Sequence, residues 1–572
     1  ETLMRPRTLA RLASIGYQQM KRFRDARLAL MRQYVGRFYY GENPTSSRSM
    51  AYPINMMYQA TTTLVPNLAY NDPKASVTSR FLPYREFAAI AEMAVNHLVG
   101  EINLRDTLRK VITDAIFLAG FTKTSLGISG QKVELDGFLA DIGQPYTDRV
   151  DPDDMILDPT ARQWEENRII GNRYRADRET LLDSDLFDPD EVSKLAADTG
   201  GMQRGAESLS RGNKANEADE LMETIDLVDI WVPYAQAIVT MPIGPGGEVQ
   251  QKVLRTVEWE GPEEGPYRML GFAFVPDNQL PVAPAMIWYD LHMMANRVAY
   301  KAARQAERQK SILAYESSAF EDAKEVVEAE DGESVRVDNI EAIKEVRYGG
   351  TTDDSYKYIE WAKGNFAEMA MNIDLLSGAA SGEPTATQAE MLQANTSVRL
   401  SDMQGIVYQY TADVMKHLYF YLHTDPLIEL PLTIRKDGRE LQVNYTPEMR
   451  EGDWIDYNIK VRPYSMARQD PNVKVRRLLE FTGNVIPALA QAAQMLGPAF
   501  NIENTIRREV IPRLLARRSS DVVPLRPRAS DGHPPAVTAV DIDKFADILL
   551  TSQPKHTVRF IETKHARGLP LE

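Results

Sequence analysis

Cysteine is absent from the 572 residues of this chain. Its absence excludes disulfide cross-links, thiolate nucleophiles, and zinc or iron–sulfur sites built on cysteine. Histidine is scarce: seven residues are dispersed along the chain, and none stands in a His-Glu-x-x-His or similar zinc-binding pattern. We therefore expect the histidines to be structural.

Long apolar runs are also missing. The best candidate, residues 485–500, is broken by Pro487, Gln491, Gln494 and Pro498, and a membrane span needs roughly 18 to 20 apolar residues. The basic N-terminal region lacks the apolar core of a signal peptide. The sequence predicts no membrane partner.

Two motifs of common enzyme classes do not occur. No Gly-x-x-x-x-Gly-Lys-Ser/Thr loop exists, because the lysine near Gly127 stands at the wrong spacing and the glycines at 244–247 have none. No Gly-x-Ser-x-Gly sequence is present either. The sequence predicts no ATPase, no catalytic residue, no metal site and no cofactor.

Positive charge is in the minority, with 66 Lys and Arg against 81 Asp and Glu and a formal net charge of -15. Proteins that bind DNA tightly neutralise phosphates with many Lys and Arg residues. Any contact with nucleic acid is therefore expected to be local or weak.

The patterning that is present predicts an α+β fold. Helical periods cover residues 3–35 and 82–118, with an interruption near Gly100. Short alternating runs separated by Gly and Pro follow at 121–174 and 224–257 and indicate strands. Helices followed by a strand-rich layer are typical of the α+β class.

A long helix is predicted at 286–310. Its expected buried face consists of Ile287, Leu291, Met294, Val298 and Ala302. A basic stripe is expected roughly 100° further round the helix and consists of Arg297, Lys301, Arg304 and Arg308. The stripe is either a solvated or salt-bridged face, or a contact with DNA or a partner.

A small α/β insertion follows at 311–353. Strand-like runs are predicted at 312–315, 334–337 and 340–348, with an acidic helical piece at 320–330. A second helix is predicted at 354–372, with the apolar residues Ile359, Ala362, Phe366, Met369 and Ile373 on one face. Two long helices thus bracket the insertion.

A Gly- and Ser-rich loop at 375–384 leads into a Thr-x-x-Glu capping box at Thr387. The helix that starts there is predicted to run to about His423, with a buried face formed by Met403, Val407, Tyr410, Val414, Leu418 and Tyr421. Strands are expected at 430–461 and helices at 473–518. The loop therefore connects two predicted helices.

Four aspartates cluster around a turn–strand–turn element: Asp151, Asp153, Asp154 and Asp158. Several carboxylates can together bind a hard cation. The spacing fits no EF-hand, however, and Pro152 and Pro159 indicate turns. Turn formation is the favoured interpretation, and a metal site is the alternative.

Four features in this order resemble the portal, or head-to-tail connector, family of tailed bacteriophages. They are the paired Asp-Pro turns, the long helix after Pro284, the inserted module, and the segment 377–390, Ser-Gly-Ala-Ala-Ser-Gly-Glu-Pro-Thr-Ala-Thr-Gln-Ala-Glu. The last segment is the most specific of the four, because it looks like the tunnel loop and the start of the tunnel helix of portals. The resemblance covers residues from about 50 to 520.

The resemblance implies a β-rich wing, long stem and tunnel helices, a small clip and a helical crown. In chain order the expected modules are an N-terminal wing part (1–285), a stem helix (286–310), the clip (311–353), a second stem helix (354–372), the tunnel loop (373–387), the tunnel helix with the C-terminal wing part (388–463), the crown (464–520) and a C-terminal extension (521–572).

The family further implies a homo-oligomeric ring of twelve copies at one capsid vertex, assembled in the host cytoplasm. Double-stranded DNA would be packaged and later ejected through it without sequence specificity. Expected partners are the terminase large subunit, major capsid and scaffolding proteins, and head–tail adaptor or neck proteins. The chain would be a structural part of the virion and not an enzyme.

Site residues follow from the same resemblance. The tunnel loop would contact DNA through Ser377, Gly378, Ser381, Gly382, Thr385 and Thr387; the alternative is an ordinary flexible surface loop. The clip would dock the motor or adaptor through Glu321, Glu325, Glu328, Asp331 and Arg336. Crown cations would contact packaged DNA, or serve as helix-end charges and inter-subunit pairs: Arg507, Arg508, Arg513, Arg517 and Arg518.

Two other functions stay open from the residues alone. A metal-dependent phage DNA-processing enzyme would use the aspartate cluster as its metal site. Another structural protein of the virion core or tail would share the composition.

Overall fold

The computed structural model describes residues 4–36, 54–195, 223–371 and 386–466, with short gaps at 128, 131, 136–137, 185, 245, 349, 351–352, 437–438 and 463–464. Within these ranges helices and antiparallel sheets both occur, which confirms the predicted α+β class.

The helices are α1 Pro6–Gln19, α2 Lys21–Val35, α3 Met56–Leu68, α4 Arg85–Glu101, α5 Leu104–Phe117, α6 Arg178–Leu182, α7 Pro189–Ser193, α8 Pro284–Glu307, α9 Phe320–Glu328, α10 Asp353–Met369 and α11 Ala386–Thr424. The strands are β1 Ala75–Ser79, β2 Gly120–Gly127, β3 Lys132–Leu135, β4 Phe138–Asp141, β5 Gln144–Val150, β6 Met155–Leu157, β7 Ile170–Asp177, β8 Thr224–Val232, β9 Ala237–Pro242, β10 Arg255–Glu258, β11 Tyr267–Leu270, β12 Lys310–Tyr315, β13 Ile343–Tyr348, β14 Leu430–Lys436, β15 Arg439–Tyr445 and β16 Tyr457–Val461.

Two predicted elements are wrong. The helix expected over 3–35 is two helices, because the chain bends at Met20 between α1 and α2. No strand forms at 334–337; that segment is irregular, and β12 pairs instead with β13. The break expected near Gly100 lies at Asn103, between α4 and α5. Asn103 has a left-handed backbone (φ 49°), and its side-chain amide donates a hydrogen bond to Asp106 in the first turn of α5 (2.7 Å).

Two sheets form the strand-rich half. One has five antiparallel strands in the order β10-β9-β8-β7-β6, and the other has three in the order β11-β2-β5. Strand β8 is buried along its whole length because apolar clusters cover both faces of its sheet. Helix α1 covers one of these faces with Leu9, Ala10 and Ala13.

The largest core lies among the helices. It joins α3, α4 and α5 to α8, α10 and α11, and it includes residues of β14, β15 and β16. All six residues predicted for the buried face of α11 are buried, so this prediction is confirmed. Tyr410 of α11 also shares a hydrogen bond with Thr122 of β2 (2.7 Å) and so ties the helical core to the three-stranded sheet.

A buried ionic network connects helices α2 and α5 to the turn after β5. Arg27 of α2 is 2% exposed and pairs with Asp114 (3.0 Å), Asp151 (3.2 Å) and Asp153 (2.9 Å). Arg149 of β5 also bridges Asp114 and Asp151. Burial raises the pKa of Asp114, and the two guanidinium groups oppose this shift.

Replacing Arg27 with methionine should destabilise the fold, because three carboxylates would lose a buried cation. Removing one partner of a buried ion pair costs about 3 to 5 kcal/mol, so we expect Arg27→Met to lower the free energy of unfolding by about that amount in urea denaturation. Arg22→Met on the exposed side of the same helix is the matched control and should change it by less than about 0.5 kcal/mol. Equal losses in both variants would contradict the role of the network.

Candidate functional site

Helix α8 is rooted in the core at one end and exposed at the other. Pro284 stands in its first turn, where the missing proline N–H costs no hydrogen bond. Ala285, Trp288 and Ala295 lie in the large helical core, whereas most residues beyond Ala302 are exposed. At 1.5 Å per residue, its 24 residues span about 36 Å.

The predicted buried face of α8 is correct only in part, because Ala302 is buried and Leu291 and Val298 are half-buried, but Ile287 and Met294 are exposed. The residues that are buried are Ala285, Trp288, His292, Ala295, Asn296 and Ala302, whereas Ile287 and Met294 are largely exposed. Polar residues occupy this face because their hydrogen bonds are satisfied. The Asn296 side chain donates to the carbonyl of Ile54 (3.0 Å) and accepts from its amide (3.2 Å).

His292 on the same face is uncharged at neutral pH. Burial lowers its pKa to about 4. A neutral imidazole is tolerated beside the apolar core, where a charged one would not be. The structural role expected for the histidines of this chain stays a prediction.

Helix α10 packs antiparallel to α8. Near the core, the rings of Trp288 and Phe366 lie 6.1 Å apart, and at the far end the amide of Gly350 donates to the carbonyl of Gln305 (3.3 Å). Ile359, Ala362 and Phe366 are buried as predicted. Met369, which was also expected on this face, is 49% exposed, and Ile373 lies outside the described residues.

A small module connects the far ends of the two helices. Strands β12 and β13 pair over six residues, from Lys310 with Tyr348 to Tyr315 with Ile343. Helix α9 follows β12, and its Phe320 lies 5.9 Å from Tyr315 between ring centroids. Residues 311–353 contain twelve acidic and four basic residues. The module is therefore strongly negative.

The five residues predicted for docking on this module are all exposed. Glu321, Glu325 and Glu328 lie on α9, and Asp331 and Arg336 lie in the segment after it. They are therefore accessible to a partner.

The basic stripe of α8 is exposed along its length. Within the described part of the chain, Arg297, Lys301, Arg304 and Arg308 form no ion pair, and Arg304 lies 5.7 Å from the ring centroid of Tyr300. The stripe does not lie beside a buried apolar face as predicted. It shares the outward side of the helix with Met286, Ile287 and Met294, which are 40–50% exposed.

Two sets of predicted DNA-contact residues lie outside the described residues: Ser377, Gly378, Ser381, Gly382 and Thr385 of the loop, and Arg507, Arg508, Arg513, Arg517 and Arg518 near the C-terminus. Thr387 falls within α11, but its side chain is not among the described ones. These assignments remain predictions.

The aspartate cluster is engaged in turns and ion pairs. Asp151 and Asp153 pair with Arg27, and Asp154 is buried with its carbonyl accepting from the amide of Arg173 (3.0 Å). Asp158 pairs with Arg168 through Nε (2.6 Å). Among the described residues, no three carboxylate or histidine side chains converge as a metal site would require.

The environment of Asp158 favours the ionised form. Burial opposes ionisation, but hydrogen bonds from Arg168 and Thr160 outweigh it and lower the pKa of Asp158 to about 2. The backbone amide of Thr160 donates a hydrogen bond to the carboxylate of Asp158 (2.9 Å), which is the geometry of a turn. This carboxylate therefore holds a turn at the end of β6, as the sequence indicated.

An open cleft of about 570 Å³ lies beside the three-stranded sheet, between Trp164, Arg268, Phe274 and Asp413. Its lining includes carboxylates and arginines but no histidine, serine, threonine or lysine. Its charged groups are the carboxylates of Glu165, Asp277 and Asp413 and the guanidinium groups of Arg162 and Arg268.

None of the helices within the described ranges combines the length and apolarity needed to cross a membrane. The prediction of no membrane partner rests, as before, on the sequence.

Comparison with known proteins shows no sequence match and one weak structural similarity. No family model and no curated protein matches the chain. Among solved structures, a chain of a structure described as "Virion of native gene transfer agent (GTA) particle" is similar with a TM-score of 0.38 and 11% sequence identity, over 84% of this chain and 92% of that chain. A likeness at this level assigns neither fold nor function.

The packing of Trp288 should determine whether α8 and α10 stay together. Truncating a buried Trp to Ala costs about 3 to 5 kcal/mol, so Trp288→Ala should lower the free energy of unfolding by that amount in urea denaturation. Tyr234, which is 85% exposed, offers the control, and Tyr234→Ala should have an effect below about 0.5 kcal/mol. A Trp288→Ala protein as stable as the control would show that the helical pair does not depend on this contact.

Proposed function

We propose that the chain is one subunit of a portal ring of the kind found in tailed bacteriophages. The supporting observation is the antiparallel pair of α8 and α10, which is rooted in the helical core at one end and connected by an acidic β-hairpin module at the other. This matches the order of stem, clip and stem that the sequence resemblance implies.

In this proposal the α8–α10 pair is the stem and the module at 311–353 is the clip. Residues 1–285 and 388–463 form the wing, 373–387 the tunnel loop, 464–520 the crown and 521–572 an extension. About twelve copies surround a central channel at one capsid vertex, and double-stranded DNA enters and leaves through it.

The charge of the chain suits a conduit. A surface that grips phosphates must break those contacts whenever DNA advances. A chain with a net charge of -15 instead repels the phosphate backbone on balance. DNA can then slide with little resistance.

The ring performs no chemistry of its own in this proposal and needs no cofactor. The terminase large subunit supplies the energy and docks on the clip, where Glu321, Glu325, Glu328, Asp331 and Arg336 are exposed. Adaptor or neck proteins replace the motor there after packaging. Major capsid and scaffolding proteins surround the wing and stem.

The alternative of a metal-dependent DNA-processing enzyme has less support. Its candidate ligands Asp151, Asp153 and Asp158 are already paired with arginines. No observation favours another core or tail structural protein over the portal.

Negative-stain electron microscopy of the purified protein tests the proposal directly. We expect ring-shaped particles with a central hole, because the subunit is proposed to act only as part of a closed ring. A monomer at micromolar concentration would contradict the proposal. Divalent-metal-dependent nuclease activity that Asp154→Ala abolishes would favour the enzyme instead.

A further inference from the structure

The open cleft beside the three-stranded sheet has an apolar part to which the proposed function assigns no role. Trp164 is half-buried there, and its ring centroid lies 6.4 Å from that of Phe121. Phe274 is 57% exposed and Val275 is 40% exposed, and the neighbouring Pro276 is exposed as well. Several exposed apolar residues on one concave surface indicate that another group covers them.

The loop between β11 and α8 forms one wall of the cleft and is held by its own hydrogen bonds. The amide of Asn278 donates to the carbonyl of Val275 (3.1 Å), and the amide of Val282 donates to the carbonyl of Ala273 (2.7 Å). Asp277 in the turn has a left-handed backbone (φ 59°), which Asp adopts more readily than most residues. The wall is therefore formed without any ligand.

Negative charge predominates among the unpaired groups of the cleft. Its carboxylates belong to Glu165, Asp277 and Asp413, and none of them forms an ion pair within the described part of the chain. Of its two arginines, Arg268 is paired with Glu264. Among the residues that the structure describes, three carboxylates and one arginine of the lining are thus left without an ion pair. A ligand with positive charge fits this balance.

Asp413 of α11 is the half-buried carboxylate of this set. It accepts a hydrogen bond from the side-chain amide of Gln409 (3.0 Å). Burial raises the pKa of Asp413, and the charges of Arg268 and Lys416 oppose this shift. A cationic group of a ligand placed beside Asp413 would further stabilise its ionised form.

The chain itself contains a segment of complementary chemistry, which lies outside the described residues. Residues 522–528 have the sequence Val-Val-Pro-Leu-Arg-Pro-Arg. The segment contains Arg526 and Arg528 and no acidic residue, and Pro524 and Pro527 stand three residues apart. Segments with Pro-x-x-Pro spacing bind aromatic-lined grooves, because polyproline II has three residues per turn and places both prolines on one side.

We infer that residues 522–528 bind in the cleft of their own copy, with the two prolines against Trp164 and Phe274 and the two arginines beside the carboxylates. The cleft is then a binding site for a basic, proline-containing peptide, and its ligand is part of the same chain. The contact attaches the C-terminal extension to the strand-rich half. This inference does not depend on the proposed ring.

The intervening chain is long enough for this contact. Met466 is the last of the described residues, and its carbonyl accepts from the amides of Tyr70 (2.8 Å) and Asn71 (3.2 Å). Residues 467–523 separate it from the segment, and a stretch of that length spans about 85 Å even when it is wholly helical. A compact unit of about 400 residues has a radius of gyration of about 21 Å. The segment can therefore reach the cleft of its own copy.

Disulfide formation between two introduced thiols tests the inference, because the chain has no cysteine of its own. The full-length chain carries Gln163→Cys, at an exposed position of the cleft lining, and Leu525→Cys, between the two prolines. A disulfide requires Cα atoms within about 7 Å of each other. In oxidised glutathione we expect a looped monomer, which migrates faster on a non-reducing gel. It should form at least tenfold faster than in the matched control, Gln251→Cys with Leu525→Cys, whose first thiol is exposed elsewhere.

Charge reversal in the segment shows whether its arginines contribute to the contact. Added to the Gln163→Cys and Leu525→Cys pair, Arg526→Glu with Arg528→Glu should slow disulfide formation at least tenfold, because carboxylates would then meet carboxylates. The matched control, Arg559→Glu with Arg567→Glu, makes the same charge change elsewhere in the C-terminal extension. It should leave the rate unchanged.

Replacement of the two prolines is the second segment variant. Pro524→Ala with Pro527→Ala in the same thiol pair should also slow disulfide formation at least tenfold, because the apolar contact and the fixed backbone angle of proline are both lost. Pro534→Ala with Pro535→Ala, outside the segment, should leave the rate unchanged.

Three results would overturn the inference. The first is a cleft thiol that reacts no faster than the control thiol. The second is a rate that neither segment variant lowers, and the third is a disulfide between copies in place of the looped monomer. Each can be observed whether or not the protein forms a ring, so the inference and the proposed function fail separately.

Discussion

The contact between α8 and α10 determines what the rest of the molecule can present. Trp288 and Phe366 bury the inner sides of the two helices at their core end, where Ala285, Ala295 and Ala362 allow close approach. Because this end is anchored, the other end holds the β12–β13 module at a distance from the core. The same packing leaves Met286, Met294 and Trp361 outside, although they are large and apolar.

The sequence predicted those elements whose burial follows a simple period. The face of α11 is one example, since Val407, Tyr410 and Val414 are all buried. It was only partly correct on α8, where the regular apolar stepping included Ile287 and Met294, which are exposed. His292 and Asn296 take the inner positions instead because Asn296 bonds the backbone of Ile54, a contact between residues 242 apart that periodicity cannot reveal.

The candidate site, too, was predicted from the sequence only in part. The positions of the module and the exposure of its acidic residues followed from composition and order along the chain. The pairing of Asp151 and Asp153 with Arg27 did not, because the arginine is more than a hundred residues away and lies on another helix.

The central claim is that copies of the chain close into one ring. Its most direct measurement is sedimentation velocity of the purified native protein at micromolar concentration. The account predicts one discrete species with the mass of a closed ring of copies. A protein that sediments as a monomer or a dimer would contradict the account.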